Sequence, residues 1–558
     1  MMMTRHYQFW PKRSSTSLPV PKTSVYENLA VSAQRYPDKV AIHYYGGQIA
    51  YRRFNEEVEA LAGFLKNKLG VVKGDRILLY MQNSPQYMLA YYGILRANAV
   101  VVPINPMNIT DELAFYINDC EAKVAFVGQE LYERIAPLQK STFLQHVIIA
   151  TYSDYISGDF DLEIPDEVSA PSITVENPEV IYWKDVIAAG LQPGPLTVSV
   201  EDMAVMPFTS GTTGKPKGCI HTQGTVNANT VGAAAWFAMS AYYNTLITLP
   251  LFHVTGMVHS MNALIFVGGT MVLMTRWNRE LAAALIERYG CIHWINIATM
   301  VVDFLANPNL ANYRLQTLTA VGGGGAPLPE AVGEKLFQLL GVRYAEGYGL
   351  SETISHTHFN PLDRPKLQCM GIPSFDVDAR IIDTESLQEL GPGEQGEVIV
   401  HGPQVFNGYW NRPEETKEAF LTIEGKQFFR TGDIAKYDEE GYFFIVDRVK
   451  RMINTSGFKV WPTEVEAILY KHPAIKEACV IGVLDPRRGE TVKAFVILHD
   501  TERRKVAEED IIEWAKGKMS AYKYPRIVQF VESLPKTASG KLLWRQLQEE
   551  ERARSKEA

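Results

Sequence analysis

The segment that most constrains this chain is Phe208-Thr-Ser-Gly-Thr-Thr-Gly-Lys-Pro-Lys-Gly218. It combines three glycines, four hydroxyl side chains and two lysines in eleven residues, with too much glycine and proline for a helix. Glycine lets the backbone approach anionic oxygens closely, while hydroxyl, amide and ammonium groups donate hydrogen bonds to them. The segment therefore predicts a phosphate-binding loop, whose donors are Thr209, Ser210, Gly211, Thr212, Thr213, Gly214, Lys215 and Lys217.

This loop is not a Walker A motif. That motif has a glycine five residues before its Gly-Lys pair and a Ser or Thr directly after it, and here Thr209 and Pro216 occupy those places. The apolar run at 203–208 predicts a strand that leads into the loop. A solvated surface turn of the same composition is the alternative, so other segments have to decide between the two.

Length, charge and cysteine content exclude several classes of protein. A chain of 558 residues predicts two or more domains. A net charge of −8 without a basic stripe argues against nucleic-acid binding. The five cysteines show no CxxC spacing, which indicates neither structural disulfides nor a zinc site. The predicted location is the cytoplasm.

No targeting segment or membrane span is expected. Residues 1–22 lack the apolar centre of a signal peptide, and the final Ser-Lys-Glu-Ala is not a peroxisomal address. Polar residues and glycines interrupt the most apolar stretch, 246–274, which favours a buried strand-loop-helix-strand unit.

Helix and strand patterns alternate through the first part of the chain. Helices are predicted at 54–69, at 84–97 and, capped by Thr110, at 111–120; strands are predicted at 76–80, 99–103 and 123–127. Such alternation predicts an α/β fold with parallel sheets flanked by helices. The acidic stretch 157–178 is expected to be an exposed, solvated loop.

A different pattern begins after the charged run 447–451. It predicts helices opening at Pro462 and spanning 507–519, and strands at 478–483, 492–498 and 527–531, which together form a small α+β domain. The predicted division is a large domain at 1–447, a hinge at 448–452 and a small domain at 453–558.

Five further segments carry recognisable chemistry. They are Leu249-Pro-Leu-Phe-His-Val-Thr-Gly256, Val321-Gly-Gly-Gly-Gly-Ala-Pro327, Tyr344-Ala-Glu-Gly-Tyr-Gly-Leu-Ser-Glu-Thr353, Arg430-Thr-Gly-Asp433 with Asp447-Arg448, and Pro535-Lys-Thr-Ala-Ser-Gly-Lys541. Tyr348 between glycines suits stacking on a purine, and Ser351 with Glu352 suits a phosphate oxygen and Mg²⁺. The glycines from 322 onward are too dense for a strand or helix interior, which predicts backbone passing close to a flat ligand.

Each of these residues has an ordinary alternative when it is taken singly. Tyr348 could be a core residue, Glu352 a solvated one and Asp433 a turn former. In order, however, the segments resemble the adenylate-forming, AMP-binding superfamily over roughly residues 25–545. This superfamily includes acyl-CoA synthetases, aryl-CoA ligases, firefly-type luciferases and peptide-synthetase adenylation domains.

The resemblance implies ATP, Mg²⁺ and coenzyme A as cofactors and a large α/β domain followed by a small, mobile α+β domain. It implies catalytic roles for Lys541, Glu352, Ser351, Thr209 and Lys217, with Glu352 as the metal ligand and Ser351 in place of the commoner threonine. The implied nucleotide contacts, besides the phosphate loop, are Gly324, Gly325, Ala326, Glu346, Gly347, Tyr348, Gly349, Ser351, Asp433, Arg448 and Lys541.

The resemblance also implies two half-reactions. In the first, the acid attacks the α-phosphorus of ATP and releases pyrophosphate; in the second, a thiol attacks the adenylate and AMP leaves. Between them the small domain turns about Lys450, withdraws Lys541 and presents the coenzyme A turn Ser456, Gly457, Phe458 and Lys459.

The identity of the acid depends on the implied pocket wall, which includes Trp236, His253, Thr255, Met257, Gly323 and the stretch Ile354-Ser-His-Thr-His358. Peptide-synthetase domains place an Asp for the amino group where Phe237 follows Trp236, so an amino acid is not expected. A medium- or long-chain fatty acid is predicted, and an aryl acid is the runner-up. A carrier-protein acceptor and an inactive nucleotide or acyl-CoA sensor stay open, and peripheral membrane contact and a homodimer are both compatible with the sequence.

Replacing Lys541 with alanine is expected to slow adenylate formation roughly a hundredfold or more, because an ammonium group that neutralises the transition state is lost. Thiolysis of supplied acyl-adenylate should be spared. The two half-reactions can be followed separately by pyrophosphate release and by thioester formation.

A bulky residue at Gly457 serves as the opposite control. It should obstruct the passage of pantetheine and slow thiolysis while adenylation continues. Equal loss of both half-reactions in the Lys541→Ala variant would rule out domain alternation.

Overall fold

The computed structural model describes residues 4–12, 14–177, 179–209, 215–455, 458–485, 488–500, 502, 505–536 and 542–557, without the side chains of 450, 458–459 and 555–557. The chain divides into two compact units. The first comprises Met1–Ala379, Val400–Phe429 and Glu440–Tyr442, and the second comprises Arg380–Ile399, Arg430–Glu439 and Phe443–Ala558. The units interleave between residues 380 and 443, so the predicted boundary at 447 stays a prediction.

A seven-stranded sheet forms the first layer of unit one. Its strands run in the spatial order His221–Thr222, Met203–Val205, Val100–Pro103, Arg76–Tyr80, Val124–Gly128, His146–Ala150 and Val180–Tyr182. All neighbours are parallel except the first pair. Its central strands are apolar and buried, which is typical of a parallel sheet covered on both faces.

A nine-stranded sheet forms the second layer. Its spatial order is Ile372–Pro373, Ser355–Phe359, Ala345–Leu350, Ala320–Gly324, His293–Asn296, Asn244–Ile247, Thr270–Leu273, Val40–Tyr44 and Gly47–Ala50. The strands from Ala345–Leu350 to Val40–Tyr44 are parallel, and the outer pairs are antiparallel. The predicted α/β class is therefore confirmed.

Helices flank these sheets. The α-helices of unit one span Val25–Arg35, Tyr51–Asn67, Pro85–Arg96, Thr110–Cys120, Tyr132–Ile135, Asp166–Ser169, Trp183–Ala188, Gln223–Trp236, Ala263–Val267, Arg279–Tyr289, Ala298–Leu305, Glu330–Leu340 and Pro413–Glu418. Short 3₁₀ turns and one π-helical stretch span Arg5–Phe9, Gln129–Leu131, Ala136–Lys140, Tyr152–Tyr155, Gly256–Asn262, Leu310–Asn312, Ser351–Thr353 and Val449–Arg451. The predicted helix after Ser84 is confirmed, with the Ser84 hydroxyl accepting the Tyr87 N–H at 3.1 Å.

Unit two contains the small domain. The strands of its sheet lie in the spatial order Phe458–Val460, Ile453–Thr455, Gly489–Leu498 and Ile475–Asp485. A fifth strand, Ile527–Phe530, pairs in parallel with Gly489–Leu498. Helices Pro462–Leu469, Glu508–Lys516 and Trp544–Glu557 belong to the same unit. Four strands lie where the chain alternates between the units, Asp378–Ile382, Gly396–His401, Phe420–Ile423 and Lys426–Tyr437, and Phe443–Arg448 follows them.

Two local expectations were wrong. The run at 203–208 is two strands, Met203–Val205 and Phe208–Thr209, because Pro207 has no N–H to donate to a ladder. Thr110 is the first helical residue rather than the cap; its hydroxyl donates to the Arg134 carbonyl at 2.9 Å, and the cap is Ile109.

Much of the acidic stretch 157–178 is exposed, as expected, and three of its acidic side chains also have specific partners. Asp161 pairs with Arg288 at 2.7 Å, and the Glu163 carboxylate accepts the Asn278 side-chain amide at 2.9 Å. Glu167 pairs with Arg276 at 2.5 Å. The carboxylates of this loop therefore hold it against the segment 276–288 through ion pairs and a hydrogen bond. Its local composition did not indicate these contacts.

Gly63 gives a test of helix packing. A Cβ at this position would lie 2.0 Å from the Leu191 carbonyl oxygen, so Gly63→Ala should destabilise the fold by ~1–3 kcal/mol although alanine is the better helix former. Gly158→Ala is the matched control, because no heavy atom lies within 4 Å of its added Cβ. Thermal unfolding of both variants measures the difference, and equal melting temperatures would refute the close packing at Gly63.

Candidate active site

The predicted motifs follow the carboxyl ends of neighbouring parallel strands. Strands His293–Asn296, Ala320–Gly324 and Ala345–Leu350 are in register, with Asn296 opposite Gly323 and Gly324 opposite Gly347. Ligands of α/β proteins bind at this edge of the sheet. The topology thus brings together Gly325, Ala326 and the Ser351–Thr353 turn.

Strand Ala320–Gly324 corrects the expectation that its glycines exclude a strand interior. A Cβ on Gly323 would lie 2.0 Å from the Asn296 carbonyl oxygen, and one on Gly322 would lie 2.4 Å from that of Ala345. These glycines are therefore required by neighbouring strands. The exposed part begins at Gly325, whose φ of +84° suits glycine, and continues with Ala326.

Tyr348 is half-buried and lies edge-on to His358, with ring centroids 5.8 Å apart. Its flanking glycines allow the tight antiparallel pairing that presents it. A Cβ on Gly349 would lie 1.7 Å from the Ser355 carbonyl oxygen, and one on Gly347 would lie 2.5 Å from the Phe359 ring. An aromatic ring beside glycine backbone forms a flat surface suited to a purine.

Ser351 is held through its main chain by a buried histidine. Nε2 of His221 lies 2.7 Å from the Ser351 carbonyl oxygen. Burial lowers the pKa of His221 to about 4, so the ring is neutral near pH 7 and its Nε2–H donates to this carbonyl. His221 was not among the predicted site residues, although it follows the phosphate loop directly.

Glu352 is a buried carboxylate with a fixed partner. It is 7 % exposed, and the Tyr409 hydroxyl donates to its Oε1 at 3.0 Å. Burial and the neighbouring Glu352 raise the pKa of Tyr409 far above its usual value, so the phenol keeps its proton and remains a donor. The Phe406 N–H donates to the Glu352 carbonyl oxygen at 2.8 Å.

Lys217 joins the same group of residues from the phosphate loop. It is buried in the strand Lys217–Gly218, opposite Thr209, and its Nζ lies 5.1 Å from the centre of the Tyr409 ring. Nζ is also 4.0 Å from a Glu415 carboxylate oxygen. We call Lys217, Glu352, Tyr409 and Glu415 the Glu352 cluster. Tyr409 and Glu415 were not among the predicted site residues. An aromatic pair directly after a glycine, Gly408-Tyr-Trp410, was the sequence signal that could have indicated Tyr409.

The residues present fit Mg²⁺ in one particular way. Within the described ranges no group of three or more His, Cys, Asp or Glu side chains could hold a metal ion. Magnesium is commonly bound by one or two carboxylates and otherwise by phosphate oxygens and water. Glu352, which follows the half-buried Ser351 in the chain, matches that pattern when a nucleotide supplies the remaining ligands.

The carboxylate of Glu346 is occupied by backbone groups. Its Oε1 accepts the N–H of Leu328 at 3.1 Å and of Gln368 at 3.0 Å. Burial raises the pKa of Glu346 to about 7. This side chain therefore fastens two loops at the carboxyl edge of the nine-stranded sheet.

Asp433 and Arg448 face each other in unit two. They are opposite residues of antiparallel strands, and Arg448 Nε lies 2.7 Å from Asp433 Oδ1. Asp433 is 2 % exposed and lies inside the strand Lys426–Tyr437 rather than at a turn, while Arg448 is about half-exposed. The pair places a carboxylate and a guanidinium side by side.

The implied acyl wall lies mostly in an aromatic region of unit one. Trp236, Met257 and Gly323 are buried, Thr255 is half-buried and His253 is exposed. The ring of Trp236 lies 5.9 Å from that of Phe359, and its Nε1 donates to the Asn360 carbonyl at 3.0 Å.

The rings next to Phe237 are His259, His293 and Phe359. Burial lowers the pKa of both histidines to about 3, so they are neutral near pH 7. A substrate group beside Phe237 would therefore meet uncharged rings.

Some predicted residues lie outside the described set: Ser210, Gly211, Thr212, Thr213, Gly214, Ser456, Gly457 and Lys541, with the side chains of Lys450, Phe458 and Lys459. Thr209 is half-buried and Lys215 is exposed. In the part of the chain that the structure describes, no helix has the length and apolarity needed to cross a membrane.

Comparison with known proteins assigns the chain to a family. The AMP-binding enzyme family matches residues 29–410, and the C-terminal domain of AMP-binding enzymes matches residues 464–541. ATP-bound MatB from Rhodopseudomonas palustris superposes with a TM-score of 0.81 at 26% identity, covering 95% of this chain and 99% of that one. This chain belongs to the AMP-binding enzyme family.

Two relatives narrow the class. The chain is 34% identical to a long-chain-fatty-acid–CoA ligase of Bacillus subtilis (strain 168), covering 97% of each chain. It is 30% identical to a feruloyl-CoA synthase of an Amycolatopsis species, covering 92% of this chain and 96% of the relative. The predicted resemblance and the predicted class, AMP-forming acyl-CoA synthetases, are confirmed, and ATP, coenzyme A and Mg²⁺ are the requirements of that class.

Glu346 predicts a pH dependence of stability. Its folded pKa of about 7 exceeds the ordinary value of 4.5, so its contribution is full below about pH 4.5 and is lost as the pH rises through 7. Glu346→Gln keeps an acceptor oxygen and removes the titration. The wild type should lose up to about 3 kcal/mol relative to this variant over that range.

Urea unfolding midpoints between about pH 5 and pH 7.5 measure this difference. Glu334→Gln, the same substitution at an exposed position, is the matched control. Parallel pH profiles of Glu346→Gln and the wild type would show that Glu346 does not hold the extra proton.

Proposed function

We propose that this enzyme activates a medium- or long-chain fatty acid as its acyl-adenylate, transfers the acyl group to coenzyme A and releases AMP and pyrophosphate. The observation that carries the proposal is the Glu352 cluster, in which the carboxylate and the phosphate-loop lysine share one tyrosine. Such an arrangement suits a magnesium-bound nucleotide.

In the first half-reaction the carboxylate oxygen of the acid forms a bond to the α-phosphorus, and the bond to pyrophosphate breaks. A fatty acid is ionised near pH 7, so this step needs no general base. Placement and charge neutralisation therefore supply the catalysis. Lys217, the phosphate-loop donors and Lys541 are the proposed cationic and hydrogen-bonding groups.

The remaining proposed nucleotide contacts follow from side-chain chemistry. Glu352 would hold Mg²⁺, which neutralises phosphate charge when bound, and the Ser351 hydroxyl would donate to a phosphate oxygen. Tyr348 and the backbone from Gly324 to Ala326 would contact adenine. Asp433, held by Arg448, would accept hydrogen bonds from the ribose hydroxyls.

In the second half-reaction the thiolate of coenzyme A forms a bond to the acyl carbonyl carbon, and the bond between that carbon and the AMP oxygen breaks. The proposed coenzyme A turn is Ser456 to Lys459, and Lys450 is the proposed hinge. Lys541 is proposed to act only in adenylate formation, so Lys541→Ala should spare the thiolysis step.

Uncharged surroundings support a fatty acid as the substrate. Phe237 lies against the rings of His259, His293 and Phe359, and burial lowers the pKa of both histidines to about 3, so these rings are neutral near pH 7. The ligase of Bacillus subtilis that matches most of this chain is named for long-chain fatty acids.

An aryl acid is the second candidate, because Trp236, Phe237 and Phe359 offer ring faces and a feruloyl-CoA synthase is 30% identical. The proposed compartment is the cytoplasm, where the five buried free thiols would stay reduced. A long-tailed substrate would bring the enzyme to a membrane surface peripherally, and a homodimer is a further proposal.

The wild-type enzyme should convert fatty acids to acyl-CoA and AMP when it is supplied with ATP, Mg²⁺ and coenzyme A. Mass spectrometry of reactions with aliphatic, aromatic and amino acids ranks the substrates directly. Higher kcat/KM for aliphatic chains than for ferulate or benzoate is the expected result.

Other products would change the assignment. Preference for aromatic acids would favour the aryl-CoA ligase. Acyl-adenylate without thioester would indicate a carrier-protein acceptor, and nucleotide or acyl-CoA binding with no ATP cleavage would indicate a sensor. Glu352→Gln tests the catalytic assignment and should reduce adenylate formation with every acid.

A further inference from the structure

One segment of unit one is bonded both to the end of the phosphate loop and to the turn that carries Glu352. We call residues 406–416 the support segment. Its Phe406 N–H donates to the Glu352 carbonyl at 2.8 Å, and its Trp410 N–H donates to the Gly218 carbonyl at 2.8 Å. Between these bonds, the Asn407 N–H donates to Ile220 and the Ile220 N–H donates to Gly408, each at 3.0 Å.

Tyr409 lies at the centre of this segment. Its hydroxyl donates to Glu352 Oε1, and its ring lies beside the Lys217 ammonium. Its own N–H donates to the Thr416 hydroxyl oxygen at 2.9 Å, which fixes the backbone from which the side chain projects. Glu415, one residue earlier, lies 4.0 Å from Lys217 Nζ.

We propose that Tyr409 is a positioning residue that holds the Glu352 carboxylate in one orientation for a divalent cation and couples it to the phosphate-loop lysine. The proposal rests on the function proposed above, in which Glu352 is the metal ligand. It assigns to Tyr409 no contact with the reacting atoms.

The physical reason is preorganisation. A glutamate side chain that is already fixed loses less rotamer freedom when it binds an ion. An ionised carboxylate has about four acceptor positions, and the hydrogen bond from Tyr409 occupies one of them, at Oε1. The ring face attracts the Lys217 ammonium independently of the hydroxyl.

The two contacts of Tyr409 can therefore be separated by substitution. Tyr409→Phe removes the hydrogen bond to Glu352 and keeps the ring beside Lys217. Tyr409→Leu removes both contacts. Any loss of Mn²⁺ affinity beyond that of Tyr409→Phe therefore measures the contribution of the contact between the ring and Lys217.

The experiment uses Mn²⁺ as a paramagnetic probe in the full-length enzyme with ATP and without acid or coenzyme A, so no turnover is needed. Electron paramagnetic resonance measures the affinity of the ATP complex for Mn²⁺. Tyr409→Phe should weaken it about tenfold, the effect of losing one hydrogen bond to a charged group. ATP affinity in the absence of metal should not change.

Steady-state kinetics add a second readout. The concentration of Mg²⁺ at half-saturation should rise in Tyr409→Phe by a similar factor, while the KM for the acid stays constant. A role limited to folding would move these parameters together with the melting temperature.

Two controls complete the design. Tyr313→Phe removes a similar tyrosine–glutamate hydrogen bond, that to Glu280, and should leave Mn²⁺ affinity unchanged. In a Glu352→Ala background, which has no side-chain oxygen to accept the Tyr409 hydroxyl, Tyr409→Phe should cause no further loss of Mn²⁺ affinity.

The proposal is overturned if Mn²⁺ affinity is unchanged in Tyr409→Phe, or if the loss is equally large in the Glu352→Ala background. A parallel fall of melting temperature and metal-free ATP affinity would likewise overturn it and assign Tyr409 to the fold. If the wild type makes no thioester with any acid, the proposed function fails, yet the Mn²⁺ titration still decides the role of Tyr409.

Discussion

The buried carboxylate of Glu352 is the group on which the arrangement of the site in unit one depends. A carboxylate with 7 % exposure loses most of its hydration, so it requires donors and nearby positive charge. Tyr409 donates directly, and Lys217 lies against the same tyrosine ring. Because these partners come from separate parts of the chain, the carboxylate holds the phosphate loop, the turn after Leu350 and the support segment in one arrangement.

Close approach of strands is the second constraint, and glycine satisfies it. Gly322 and Gly323 have no room for a Cβ because the backbones of adjacent strands lie too near. The same residues bring the ends of three parallel strands to one edge, where Gly325 and Tyr348 are accessible. One run of glycines therefore serves both strand packing and ligand access. Its first residues are needed for packing, and its exposed end, from Gly325, is accessible to a ligand.

Much of the architecture could be predicted because local patterns agree with the final packing. The strand at 76–80 and the helices that begin after Ser84 and at Pro462 form as expected, since their periodicity and caps match their burial. Contacts with distant groups could not be predicted in this way. The Thr110 hydroxyl bonds to Arg134 instead of capping its helix, and the acidic stretch 157–178 pairs with basic residues more than a hundred positions away.

The order of motifs in the sequence was sufficient to identify the family, the nucleotide chemistry and candidates such as Glu352, Tyr348 and Asp433. Those inferences depend on residue type and spacing, which are local properties. The partners of those residues became visible only in the folded chain: Tyr409 for Glu352, His221 for Ser351, and the backbone N–H groups that occupy Glu346. Each joins segments that are distant in sequence, and a hydrogen bond depends on distance and direction in space, which spacing along the chain does not specify.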